Sequence, residues 1–255
     1  MNTHILESVP KPIVFAHRGA SKYAPENTMA AFRLALEQGA KAIELDAMLS
    51  ADKKVMVIHD PVLDRTTNGK GKVKNYTASS LQRLDAGSWY SEGFLGEKIP
   101  LLEEVLRELG GKCLINIELK NYQSPRDSLT EEVASLVRDM HMQNSILFSS
   151  FLPGNIRKMS NYLPSVPVAL LALSGLPGKV MRSFLFRKIS PKFINISLED
   201  VSGKYIKKEH KEERRVNVYT VNKANQMQKL FNMEVDGIFT DDPKLAFEVL
   251  RKIST

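Results

Sequence analysis

Apolar runs of strand length alternate with stretches of helical period along almost the whole chain. Residues 13–16 (Ile-Val-Phe-Ala) read as a first strand. Residues 27–38 follow with Met29, Ala30, Phe32, Leu34 and Leu36 at helical spacing, and Gly39 stops them. Residues 43–49 form a second strand. Ile43, Leu45 and Ala47 share one face of it and Glu44 and Asp46 the other, because side chains two apart on a strand point the same way. Ser50-Ala51-Asp52-Lys53 then turns the chain, and residues 55–58 come straight back as a hairpin arm. A tight closure sets Leu49 opposite Lys54 and Glu44 opposite His59, with Cβ atoms about 4.5–5.5 Å apart across such a pair.

Residues 61–98, rich in Gly, Ser, Thr and Asn, make a long irregular excursion that carries the sole tryptophan, Trp89. Excursions of this length in a compact fold are usually functional or flexible. Beyond Pro100 the alternation resumes. Helices are expected over 101–109, 128–140, 154–162, 179–189, 203–214, 224–231 and 243–252, and strands over 113–119, 145–149, 166–172, 193–196, 216–221 and 235–240. Counting decides the topology. Parallel neighbours need a crossover of about a dozen residues or more, which residues 50–54 cannot supply, so 55–58 is an arm and not a barrel strand. Eight strands alternating with helices remain. The expected fold is an α/β distorted (β/α)8 TIM barrel, with the hairpin arm after strand 2 and a small insertion (61–98) before strand 3, in one domain over 1–255. In such barrels functional residues sit at the C-terminal ends of strands and in the loops that follow.

Composition narrows the setting. A chain of 255 residues suits a single barrel. Its 43% hydrophobic and 25% charged content is that of an ordinary soluble globular protein. No apolar stretch approaches the ~18 residues of a membrane span. No basic leader followed by an apolar run opens the chain. The single cysteine, Cys113, lies in an apolar strand pattern and reads as a buried structural residue. Together these point to the cytoplasm. The net charge of +7 is concentrated between Lys179 and Arg215, where 11 Lys and Arg face 5 Asp and Glu. Such a segment favours anionic partners, or serves as a solvated face. It has neither zinc-finger spacing nor aromatic-interleaved RNA-binding signatures, so no nucleic-acid partner is expected.

The candidate chemistry falls at the predicted strand ends. His17-Arg18-Gly19 closes the first strand: a group that titrates near neutrality, a fork of donors for phosphate or carboxylate, and a residue that lets backbone approach a ligand. Glu44 and Asp46 end the second strand on one face, where two like charges are costly without a cation or basic group to offset them. Hard oxygen donors suit Mg²⁺ or Ca²⁺. In the third strand Asn116, Glu118 and Lys120 face the barrel axis. Glu118 is placed to complete a three-carboxylate oxygen site, and Lys120 to neutralise phosphate charge. A buried salt bridge without function is the competing reading of each pair. His59-Asp60 closes the hairpin and, with His17, supplies enough imidazole for one general acid and one general base. His4, His141 and His210, in the N-terminal tail or on helices, are expected to have no part.

These residues, with Pro25-Glu26-Asn27-Thr28, Asp64-Arg65-Thr66-Thr67-Asn68-Gly69, Ile99-Pro100-Leu101-Leu102-Glu103-Glu104, Ser149-Ser150-Phe151 and Thr240-Asp241-Asp242-Pro243, resemble the glycerophosphodiester phosphodiesterase family in order from about residue 13 to 243. The resemblance implies a distorted barrel, one divalent cation (Ca²⁺ or Mg²⁺), and hydrolysis of a small-molecule glycerophosphodiester to glycerol 3-phosphate and an alcohol. By position it makes Glu44, Asp46 and Glu118 the metal ligands, His17 and His59 the catalytic pair, and Arg18 and Lys120 the phosphate contacts. Tyr219 stands where many members carry tryptophan, and it joins Phe151 as a candidate pocket wall. A lysophospholipase D acting on lysophospholipids is the alternative. Residues 176–189 motivate it, with Val180, Met181, Phe184, Leu185 and Ile189 as an apolar stripe flanked by Lys179, Arg182 and Arg187. In that reading residues 176–215 make a peripheral membrane contact; otherwise the stripe packs on the barrel like any outer helix.

Overall fold

Eight parallel strands close on themselves in the computed structural model, which describes residues 4–253. In chain order the strands are β1 (Ile13–His17), β2 (Ala42–Leu49), the antiparallel arm β3 (Val55–Val57), β4 (Leu114–Leu119), β5 (Ile146–Ser150), β6 (Val168–Ala172), β7 (Phe193–Ser197), β8 (Arg215–Tyr219) and β9 (Gly237–Thr240). The helices are α1 (Met29–Glu37), α2 (Ala78–Leu81), α3 (Leu102–Leu109), α4 (Leu129–Asp139), α5 (Pro153–Tyr162), α6 (Gly175–Met181), α7 (Phe184–Arg187), α8 (Gly203–Lys211), α9 (Ala224–Asn232) and α10 (Pro243–Ile253). The barrel is shut by β1, which pairs with β9 on one side and β2 on the other. That pairing releases β2 after Glu44, and β3 takes over its edge from Ala47. The TIM barrel with its hairpin arm is thus the fold the strand count predicted.

The barrel axis is filled in two chemically different halves. Toward the N-terminal ends of the strands, Ile13, Phe15, Ala42, Leu114, Leu147, Ala169, Phe193 and Phe239 pack together, and Leu6 from the N-terminal segment joins them. Phe15 and Phe239 stack with centroids 4.6 Å apart. One pleat further along, the same strands turn polar residues inward: Glu44, Asp46, Asn116, Glu118, Ser149, Asn195 and Asn217, all buried. The apolar floor therefore fixes the height at which the polar groups meet.

The hairpin closes one residue away from the expected register. Leu49 pairs with Val55, Met48 with Met56 and Ala47 with Val57, so Glu44 does not lie opposite His59. Two cores explain the slip. Ala47, Val55 and Val57 join the main core, while Met48, Met56 and Ile58 pack with Leu63, Val73, Ala78, Leu81, Ala86 and Ile99 of the inserted segment. Because side-chain period on a strand is 2, the other register would exchange those faces.

The predicted helix over 179–189 is also corrected. It is two short helices, α6 and α7, and its apolar residues do not all face the barrel. Met181, Phe186 and Ile189 pack inward, but Leu176, Val180, Phe184 and Leu185 are exposed. The cause is electrostatic: Arg182 turns in to Asp200 at 2.7 Å, and Arg187 to Glu209 and Glu212 at 3.1 and 3.0 Å. Elsewhere the predicted elements stand with boundaries moved by a few residues, as where Thr28 caps α1 by accepting the Ala31 N–H. Cys113 is buried, and burial pushes its thiol up to about 12.

The Glu209–Arg214 pair carries the α8–β8 turn in the protein interior. Both side chains are fully enclosed, 3.1 Å apart, and the Arg214 Nε–H donates to the Phe193 carbonyl. Removing one partner of such a pair strands a buried charge. Glu209→Ala is expected to lower unfolding free energy by about 3–5 kcal/mol in urea titrations, more than an exposed ion-pair deletion such as Glu108→Ala.

Candidate active site

The polar half of the barrel opens at the C-terminal strand ends into a pocket of about 220 Å³. His17, Arg18, Glu44, His59, Asn116, Glu118, Lys120, Ser149, Phe151 and Tyr219 are among its lining residues. Asp46 lies beneath, fully buried. Every residue predicted for the site from the sequence is therefore in one place.

β1 ends in a backbone device. Arg18 adopts a left-handed conformation (φ 58°), which aims its N–H at Glu44 Oε2, 3.0 Å away. Gly19 follows at φ 85°, where an added Cβ would fall 2.6 Å from the backbone of Ala31. Strained non-glycine backbone of this kind persists where the surroundings over-determine it.

Each imidazole is oriented by a carboxylate. His17 Nδ1 lies 2.7 Å from Asp241 Oδ1, and His59 Nδ1 2.5 Å from Asp60 Oδ1. An ionised carboxylate only accepts, so Nδ1 donates in both and each Nε2 is left to act. His17 Nε2 points back over the acidic cluster, 4.0 Å from Glu44 Oε2. His59 reaches the mouth by a bend after β3 and not through strand pairing. Burial holds its pKa below the usual histidine value; Arg18 and Lys120 add to this, and Asp46 and Asp60 oppose it. Asp60 is held down to about 2: burial works the other way, but the hydrogen bonds from Arg65 and His59 prevail.

Glu44, Asp46 and Glu118 form an acidic cluster in which one oxygen from each lies within 4.8 Å of the others. Neighbouring strand positions bring them together, since Asp46 pairs with Glu118 across the β2–β4 ladder. Asp46 would be raised by burial, yet Arg18, Lys120, His59 and the Asn27 amide hold it below the ordinary carboxylate range. Glu44 goes the other way. Burial, with Asp46 and Glu118 alongside, drives its carboxyl well above the usual value, and Arg18 only partly offsets this. Glu44 Oε1 and Asp46 Oδ1 are buried without a hydrogen-bond partner. Three hard oxygen donors, two of them with orphaned atoms, fit a divalent cation of the Mg²⁺ or Ca²⁺ type.

The cations that remain are fixed around this cluster. Lys120 Nζ lies 3.1 Å from Glu118 Oε1 and 3.5 Å from Asp46 Oδ1. Arg18 donates from Nη1 to Glu26 (2.9 Å), while its Nε is 3.2 Å from Asp46 Oδ2 but out of hydrogen-bond alignment. Arg65, from the inserted segment, binds Glu26 through both terminal nitrogens (2.7 Å each) and Asp60 through Nε (2.6 Å). One chain of contacts thus runs from His59 through Asp60, Arg65 and Glu26 to Arg18. Phe151 and Tyr219 line the pocket and meet edge to face at 5.8 Å, with Tyr122 behind Phe151 at 5.9 Å. The Tyr122 hydroxyl donates to Glu118 Oε1 at 2.6 Å.

The sequence reading gave no role to Asp241, Asp60, Glu26, Arg65, Asn27 or Tyr122. All but Tyr122 lie inside motifs quoted for the family resemblance, so the signal was present. What it lacked was the distance in space between segments as far apart as 17 and 241.

Residues 17–245 match the profile of the glycerophosphoryl diester phosphodiesterase family. Bacillus subtilis YhdW is 40% identical over 236 residues, spanning 90% of this chain and 94% of its own. A glycerophosphodiester phosphodiesterase of Caldanaerobacter subterraneus subsp. tengcongensis is 37% identical, over 95% and 99%. The structure of an Oleispira antarctica phosphodiesterase in complex with the product sn-glycerol-3-phosphate superposes with a TM-score of 0.86 at 27% identity, covering 96% of this chain and 98% of that one.

A cation held by the acidic cluster should stabilise the fold. At 100 times its Kd the gain is about 2.7 kcal/mol, read as a rise in Tm over chelator-treated protein. Glu118→Gln and Asp46→Asn are expected to lose that rise. Glu44→Gln should lose it too while melting higher than wild type in chelator, because it removes the repulsion on which the site is built.

Proposed function

Given that the chain belongs to the glycerophosphoryl diester phosphodiesterase family, and is thus an enzyme of phosphodiester hydrolysis, we propose that it hydrolyses glycerophosphodiesters to glycerol 3-phosphate and an alcohol by acid–base catalysis from His17 and His59. The observation that carries this reading is the pair of imidazoles, each tied through Nδ1 to its own carboxylate, over one acidic cluster. Glu44, Asp46 and Glu118 would hold a divalent cation, Ca²⁺ or Mg²⁺, which supplies a Lewis acid for a phosphate oxygen when bound.

The protein's own residues account for the rest. Arg18 and Lys120 remain cationic: burial works against their charge, but Asp46 together with Glu26 or Glu118 more than offsets it. Both can therefore stabilise negative charge that grows on the phosphoryl oxygens. One Nε2 removes the proton of the attacking oxygen, and the other protonates the alkoxide as its P–O bond breaks. The attacker is water, or the neighbouring glycerol hydroxyl by way of a cyclic phosphate that water then opens. Either route consumes one water and yields the same products. Asp241 and Asp60 keep the two rings facing the pocket throughout, and Phe151 and Tyr219 flank the substrate.

A lysophospholipase D is the second reading, and the corrected α6–α7 surface favours it. Leu176, Val180, Phe184 and Leu185, between 56% and 79% exposed, follow the strand whose Leu171 lines the pocket. An apolar surface at that rim, with Lys179 and Lys188 beside it, suits lipid-bearing substrates at an anionic membrane. Turnover of lysophosphatidylcholine against glycerophosphocholine, with anionic-vesicle sedimentation of Phe184→Glu, separates the two.

The main test is glycerol 3-phosphate release from a panel of glycerophosphodiesters by chelator-stripped protein with Ca²⁺, Mg²⁺ or Mn²⁺ restored. His17→Ala and His59→Ala should each lose about 10²–10⁴-fold in kcat while remaining folded. Asp241→Asn and Asp60→Asn, which misorient a ring without removing it, should lose less. Near-normal turnover in either alanine variant would overturn the assignment.

A further inference from the structure

The catalytic pocket shares part of its wall with a neighbour. His59 and Lys120 also line a second cleft of about 680 Å³ between the hairpin arm, the inserted segment and the β4–α4 loop. Sites that enclose a whole small-molecule ligand measure about 300–1,000 Å³. At about 220 Å³ the catalytic pocket falls short of that range on its own, and the adjoining cleft lies within it. A diester centred between the two histidines has two arms, and this cleft borders the pocket on the side of His59 and Lys120.

The charge of the cleft is mainly positive. Lys53 from the hairpin turn, Lys72 and Lys74 from the insertion and Arg126 from the β4–α4 loop all line it. None of the four makes an ion pair among the described residues. Carboxylates elsewhere capture such cations, as Glu108 does Arg33 and the buried Asp242 does Lys22. Here the two carboxylates are already engaged. Asp127 accepts from Asn121, Ser124 and the Leu129 N–H, and Glu131 accepts from the Tyr162 hydroxyl. Ser128 Oγ, in the same wall, is buried with no partner. Three separate segments therefore set four cations without ion-pair partners, against two carboxylates, around a cleft that shares His59 and Lys120 with the reacting centre.

We infer that this cleft receives the leaving alcohol and selects alcohols that carry a second anionic group, above all a further phosphate ester. The inference rests on the hydrolase reading above and names the substrate class of that same site. Choline-like or neutral alcohols gain nothing from four unpaired cations. An alcohol bearing phosphate is both drawn in and held, and the attraction is screened over the roughly 8 Å Debye length of physiological salt.

The test compares glycerophosphoglycerol with bis(glycerophospho)glycerol, which carry the same scissile unit but differ by a second phosphodiester. Wild-type protein should show the higher kcat/KM on the doubly charged compound, with an advantage that shrinks between 50 and 500 mM salt, taken as roughly two ends of the screening range. A Lys72→Glu/Lys74→Glu/Arg126→Glu variant should lose roughly tenfold or more on that compound and little on glycerophosphoglycerol. The milder Lys72→Gln/Arg126→Gln variant guards against misfolding and should move the same way by less. Equilibrium binding of both compounds to the His17→Ala protein, with and without the triple change, gives a readout independent of turnover. Equal loss on both substrates, no preference in wild type, or a stronger preference for lysophosphatidylcholine overturns the inference. Absence of turnover on every diester, with the binding preference intact, would instead count against the hydrolase reading beneath it.

Discussion

Three carboxylates buried side by side are the constraint around which this molecule is arranged. Two successive inward positions of β2 and one of β4 place Glu44, Asp46 and Glu118 within reach of a single ion, at a depth where like charges repel with little screening. Lys120 and Arg18 are drawn in to compensate, and each needs partners of its own. Glu26 holds Arg18, Arg65 holds Glu26, and Asp60 joins Arg65 to His59. The histidine's orientation is thus the far end of a sequence of charge compensations that begins at the acidic cluster.

The inserted segment belongs to that scheme as well as to the second cleft. Its small core of Leu63, Val73, Ala78 and Leu81 rests on Met48 and Met56 of the hairpin, which gives the arm a reason to hold its register. Seated there, the segment reaches inward with Arg65 and borders the second cleft with Lys72 and Lys74. One excursion therefore couples the geometry of an imidazole to the wall of the second cleft.

Most of the barrel was legible because strand alternation and helical period are local properties. Each strand carries its own record of which face is inward, and Asn116, Glu118 and Lys120 announced theirs by being polar where core was expected. What could not be read depended on partners remote in sequence. The hairpin register turned on which residues would cover Met48 and Met56. The α6–α7 segment turned part of its apolar side outward because Asp200, Glu209 and Glu212 claim Arg182 and Arg187. The role of Asp241 required knowing that β1 and β9 are neighbours, and only closure of the barrel makes them so.

The two halves of the chain contribute differently to the mouth. Nearly every charged group of the centre comes from residues 17–120, with Asp241 the exception, whereas Phe151, Leu171, Tyr219 and Phe239 supply its later walls. The acidic cluster and the later walls of the mouth are thereby written in separable stretches of polypeptide. Drift in the second half can reshape those later walls while the three carboxylates are inherited intact.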